Sequence, residues 1–198
     1  PTGALRPVGA APAVLPLVGS VFGFDFNPAA DRIRVVSNTG QNLRLHPDTG
    51  AVVDFDTTTP GLQTDPALAY AAGDANAGKV PQVTGAAYTY NKRDEKLTTN
   101  YAIDRALGVL VTQGTVEGVA PAVSPNTGRL FTVGSLGLGP LTEVAFDIGD
   151  LNNKALAALR TGSDARTRLY EVDLSSGKAR LLGTVGQGAA LRGMAIEP

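Results

Sequence analysis

Four short segments of this chain align without gaps: Phe22-Gly23-Phe24-Asp25, Thr84-Gly85-Ala86-Ala87, Val144-Ala145-Phe146-Asp147 and Arg192-Gly193-Met194-Ala195. Each has a tiny residue in second place and an apolar residue in third. Their last residues are spaced 62, 60 and 48 apart. A chain that returns to the same short pattern at such intervals is built from repeated units, and one unit constrains the next.

Three further strand-like runs follow each of the first three segments. They are "RIRVVSNTG", "QNLRLHPDTG" and "AVVDFDTTTP" in the first unit, and "TTNYAIDRA", "GVLVTQGT" and "GRLFTVGSLG" in the second. In the third they are "KALAALRTG", "TRLYEVDLSSG" and "KARLLGTVG". Alternation such as Leu43-Arg44-Leu45 and Leu169-Tyr170-Glu171-Val172 has period two, which marks half-buried strands. The turns "DTG" (48–50), "NTG" (126–128) and "SSG" (175–177) place Gly where a positive φ is needed. Ala155 to Leu159 have helix propensity, but their place in the repeat makes them a second strand. Residues 57–82 fit no strand position and are expected to form a long loop, of the kind that often carries function.

Four antiparallel strands per unit, led by a small-residue strand, predict an all-β, β-propeller-like array of blades spanning residues 1–198 as one domain. Inner strands of neighbouring blades converge on a channel, which gives a reason for Gly23, Gly85, Ala145 and Gly193. "PTGALRPVGA" matches the turn and outer strand of a unit, and "LRGMAIEP" reads as an inner strand with nothing after it. The expected content is about three full blades with partial blades at both ends. The open edge at residues 1–10 then needs cover, from an N-terminal segment that this chain lacks or from another polypeptide.

The bulk numbers narrow the partners. Among 198 residues there are 17 basic and 18 acidic ones, a net charge of −1. A nucleic-acid partner would need a concentrated basic face. No apolar run approaches the roughly 18 residues that cross a bilayer as a helix, so no membrane insertion is expected. The chain has no Cys, which excludes disulfides, Cys zinc sites and thiol catalysis.

"FGFDFNPAADRIRVVSNTGQNLRLHPDTGAV", "LAYAAGDANAG", "AAYTYN" and "LRGMAI" together resemble a bacterial family, domain of unknown function 4394. The resemblance covers essentially the whole chain. It implies an exported, propeller-like protein, located outside the cytoplasm in the periplasm, at the cell surface or beyond it, and often part of a larger envelope protein. The family pattern begins with blades that precede the first residue here. The resemblance implies no reaction and no catalytic residues.

Several residues are candidates for chemistry, each with a plainer reading. Asp25 and Asp147 occupy the same place in two inner strands. They either belong to a ring of carboxylates holding a cation such as calcium or accept backbone N–H groups from a neighbouring blade. Asp74 and Asn76 in "DANAG" resemble the start of a calcium loop, with Asp65 nearby, although the closing Glu is absent; the alternative is a polar turn. Tyr88, Tyr90 and Asn91 would contact a sugar or another flat ligand if exposed at a channel mouth, or pack between blades. His46, the single His, is read as a surface turn residue. Arg32, Arg34 and Arg44 form either an anion patch or a solvated strand face offsetting Asp31 and Asp48.

Three functions compete. The first is a non-catalytic binding or structural module of the cell envelope. The second is a metal-dependent hydrolase or lactonase with a channel cation, resting on Asp25, Asp147 and the 57–82 loop. The third is a carbohydrate-binding propeller resting on Tyr88, Tyr90 and Asn91. A fold of this kind hosts all three.

Overall fold

The computed structural model describes residues 4, 6–9 and 15–196. They form three sheets and almost no helix. The first sheet holds β1 (Phe22–Asn27), β2 (Arg32–Ser37) and β3 (Asn42–Leu45) in that order, all antiparallel. The central sheet takes a two-residue strand, β4 (Ala69–Tyr70), at its edge. It continues through β5 (Val83–Tyr88), β6 (Asn100–Asp104), β7 (Val109–Gln113) and β8 (Arg129–Ser135), in the order β4-β8-β7-β6-β5. The third sheet holds β9 (Leu141–Gly149), β10 (Lys154–Thr161), β11 (Arg168–Val172) and β12 (Ala179–Thr184), each antiparallel to the next. One three-residue 3-10 turn, Pro125–Thr127, precedes β8. Among the described residues no helix is long and apolar enough to cross a membrane.

The strands expected in the second and third units are all present, including the Ala-rich run at β10. Gly50, Gly128 and Gly177 of the three turns have φ of 68°, 70° and 78°, where an L side chain is strained.

The three sheets meet through β1, β5 and β9. β1 lies against β5, and β5 against β9. A Cβ on Gly23 would stand 2.9 Å from the Ala86 nitrogen, and one on Gly85 would stand 2.9 Å from Val144 Cγ1. Both distances are shorter than side chains tolerate, so the tiny residues set how closely these strands approach.

The central sheet is covered on both faces, and every residue of β5, β6 and β7 is buried. One face packs on the third sheet through Ala87, Ile103, Leu110, Val144, Phe146 and Leu159. The other packs on the first sheet with Val36, Ala86, Ala102 and Val111. This double cover explains why "VLV" in β7 lacks the alternation seen in β3 and β11. The far face of the first sheet carries Ile33, Val35, Leu43 and Leu45, with Phe24 and Phe26 in a T-shaped contact and more than half exposed.

Three expectations need correction, and a fourth lies mostly outside the described residues. "AVVDFDTTTP" does not form a fourth strand; only a single bridge, Leu45 to Val52, continues the first sheet. Beyond it Asp54 accepts the N–H groups of Asp56 and Gln63, and Asp56 binds Thr58 and Thr59. These local bonds replace the ladder. The 57–82 segment is not wholly loop, because Ala69 and Tyr70 add a parallel edge strand beside β8. "LRGMAI" makes no strand, since no hydrogen-bonded partner strand flanks it, and a Cβ on Gly193 would meet nothing within 4 Å. The crowding that explains Gly23 and Gly85 therefore does not apply there. The outer strand expected in "PTGALRPVGA" falls mostly outside the described residues, and those described are not in a strand.

Candidate functional site

Asp25 sits in β1 with its carboxylate turned toward the central sheet. Its Oδ2 accepts the backbone N–H of Tyr88 at 2.7 Å, and its Oδ1 accepts that of Phe26 at 2.8 Å. Asp147 in β9 repeats the arrangement, its Oδ2 accepting the N–H of Ile196 at 2.5 Å. Tyr88 directly follows the second of the four aligned segments and Ile196 directly follows the fourth. The same repeat position therefore reaches the same place in the next unit. Ala87, the corresponding residue of the second unit, has no oxygen to offer. There Asn153 joins the sheets, accepting the Tyr90 N–H at 2.8 Å and donating to the Tyr90 carbonyl at 3.0 Å.

Asp25, Asp147 and Asp150 line one cavity of about 360 Å³, walled by Phe24, Phe146 and Met194. Burial pushes the Asp25 carboxyl up to about 7; the Tyr88 and Phe26 N–H groups pull against this, and the Asp147 and Asp150 charges add to it. Burial also raises Asp147, opposed by the Ile196 and Ile148 N–H groups. Among the described residues no group of three or more His, Cys, Asp or Glu side chains is arranged to hold a metal ion.

In "DANAG", Asp74 Oδ1 accepts the Asn76 N–H at 2.8 Å and the Thr132 hydroxyl at 2.7 Å, while Oδ2 accepts the Thr132 N–H at 2.6 Å. Lys79 Nζ donates to Asn76 Oδ1 at 2.9 Å. The Asp74 carboxylate and the Asn76 amide nitrogen, which donates to the Thr132 hydroxyl at 2.9 Å, fasten the loop to β8. Asp65, 21 residues from Arg44, lies apart from them in the first seam between sheets.

Of the two readings of position 88, the packed one describes the side chain. Tyr88 is 2% exposed, donates its N–H to Asp25 and accepts Arg34 Nε at its hydroxyl, 3.2 Å away. Tyr90 donates its hydroxyl to Glu95, and Asn91 donates its amide to Glu117; both line a shallower cavity of about 300 Å³. His46 is partly exposed at its turn, 3.8 Å from Asp48.

The solvated strand face expected at Arg34 and Arg44 is instead the centre of a buried network. The two are direct cross-strand partners in β2 and β3. Arg34 is 1% exposed and donates to Asn42 at 2.7 Å, Asp65 at 2.8 Å and Asn126 at 2.6 Å. Arg44 holds both Asp65 oxygens with Nε and adds Nη2 at 2.7 Å. Gln113 closes the network onto Asn42 at 2.9 Å. Arg32 stays outside it, donating to the Asp31 carbonyl. The signal available in the sequence was the pairing of two like charges across one hairpin, which is unfavourable unless a carboxylate lies between them. The "TDP" segment at 64–66 supplies it. Beside Arg34 and Arg44 opens a cleft of about 450 Å³, formed by the β1–β2 turn and the loops that follow β5 and β7.

A profile of the family described as Domain of unknown function (DUF4394) matches residues 1–195. No curated protein matches the chain, and no solved structure matches it.

Proposed function

The chain belongs to the DUF4394 family, and on that footing we propose that its three sheets are neighbouring blades of a propeller-like array that serves as a non-catalytic binding or structural module outside the cytoplasm. The observation that carries this reading is the equivalence of Asp25 and Asp147. Each sits at the fourth place of its repeat segment, and each binds the N–H that follows the fourth place of the next unit. Carboxylates used in this way join repeats, and the contacts of β1 with β5 and of β5 with β9 supply the side-by-side inner strands that such an array needs. An unpaired edge in such an array would suit cover by another polypeptide.

One observation favours a second reading, the metal-dependent hydrolase. Asp25, Asp147 and Asp150 share a cavity, and an Asp25 carboxyl pushed up to about 7 falls in the range of a general base. Ester and lactone hydrolysis assays with and without calcium separate the two. The module reading expects no turnover that depends on Asp25. Calcium-stimulated turnover lost in Asp25→Asn would establish the hydrolase instead.

A further inference from the structure

We propose that the cleft beside Arg44 binds a small organic carboxylate that also carries a hydroxyl or amine donor. The inference deepens the binding half of the proposed function and does not depend on the Asp25 joint.

Hydrogen bonds within the network leave a specific vacancy. A guanidinium has five N–H donors. Arg34 directs four of them to Tyr88, Asn42, Asp65 and Asn126. Arg44 directs Nε and one Nη2 hydrogen to Asp65. The two hydrogens on Arg44 Nη1 meet no acceptor among the described residues, and the side chain is 17% exposed where it lines the cleft. Asp65 fixes Arg44 from behind, so an incoming carboxylate finds its donors already oriented. Such preorganisation removes part of the ordering cost of binding, and charge-assisted bonds of this kind are the strong ones.

Charge sets the class of ligand. Two guanidiniums share the single Asp65 carboxylate, which leaves one positive charge in the buried network. Arg32 and Lys96 add to it at the cleft wall, and Glu117 opposes it. One Glu117 oxygen, Oε2, is buried and without a hydrogen-bond partner. The Glu117 charge at the wall repels a dianion such as phosphate, and a ligand hydroxyl or amine that reaches Oε2 would supply the partner it lacks. A monoanion with a hydroxyl or amine group satisfies both ends. The remaining wall is apolar at Ala29, Ala30 and Val116. The volume, about 450 Å³, suits a molecule the size of a sugar acid.

Titration calorimetry with lactate, glucuronate and galacturonate tests this, with glucose as the neutral control and inorganic phosphate as the dianion. Saturable binding is expected for at least one carboxylate and not for glucose. Arg44→Gln weakens it at least about tenfold. Arg44 also supports Asp65, so thermal unfolding must show that this variant is folded. Val116→Trp, at an exposed wall residue outside the network, blocks the cleft and abolishes binding whatever Arg44→Gln does to folding. Folded wild-type protein that binds none of the three carboxylates, binds phosphate more tightly, or binds unchanged in Val116→Trp overturns the assignment. That result leaves the joined-repeat module intact, whereas Asp25-dependent hydrolysis with normal carboxylate binding would sink the module reading alone.

Discussion

Between the first and central sheets the buried layer mixes Arg34, Asn42, Asp65 and Gln113 with Val36 and Ala86. Between the central and third sheets it holds Leu110, Phe146, Ile148 and Leu159. Apolar packing is strong but non-directional. The hydrogen-bonded network is directional: Arg34 reaches β3, β5, the 57–82 segment and the turn before β8 from one side chain. Burial of a charged network brings little net stability over an apolar isostere, yet breaking one partner is costly. The first seam is therefore the specified one, and the cleft beside Arg34 and Arg44 opens from it. The second seam is built for cohesion.

The largest expected effect separates the seams at once. Asp65→Ala leaves the buried Arg34 and the partly exposed Arg44 without their carboxylate and costs about 4 kcal/mol in denaturant unfolding. A loss below about 1 kcal/mol would mean that water already screens the network, and the contrast with the apolar seam would collapse. Leu159→Ala in the second seam removes a fully buried side chain and costs about 3 kcal/mol. It should leave carboxylate binding at the first seam unchanged, as calorimetry would show.

The third prediction concerns pH. A free Asp titrates near ~3.9, and Asp25 is pushed up to about 7 in the folded protein. Its ionised form is disfavoured by folding, so its contribution to stability is complete below the unfolded value and lost as pH rises through about 7. Allowing for partial solvent screening, wild-type stability falls by about 2 kcal/mol over that window, and Asp25→Asn removes most of the fall. Asp147 is shifted the same way and contributes the remainder. An unchanged pH profile in the variant would place the titration elsewhere. The smallest effect belongs to Asn153, which joins the second seam where Ala87 offers no carboxylate. Asn153→Ala loses two bonds to the Tyr90 backbone and costs about 1 kcal/mol. Because Asn153 has φ of 53°, Asn153→Gly measures the bonds without the backbone strain.

Much of the fold was legible because the repeat is legible. The strands of the second and third units, the turn glycines, and the close approach at Gly23 and Gly85 all follow from local pattern and a shared geometry. The equivalence of Asp25 and Asp147 was readable for the same reason. What escaped depends on contacts distant in sequence. Nothing local in "RIRVV" says that Arg34 is buried, since its partners are 8, 31, 54 and 92 residues away. The missing fourth strand of the first unit was hidden by its apolar start, "AVVDF", while Asp54 and Asp56 held the decisive local bonds. The strand at Ala69–Tyr70 exists only because β8 presents an edge to it. Gly193 shows the limit of the repeat itself: it keeps the pattern where a Cβ would meet nothing within 4 Å.

Amide hydrogen exchange at Tyr88 tests most directly whether Asp25 joins the sheets. The Tyr88 N–H should be strongly protected in the wild-type protein, lose that protection in Asp25→Ala while the amides of β10 keep theirs, and be indifferent to calcium. Rapid exchange at Tyr88 in the wild type, or protection that appears only when calcium is added, would contradict it.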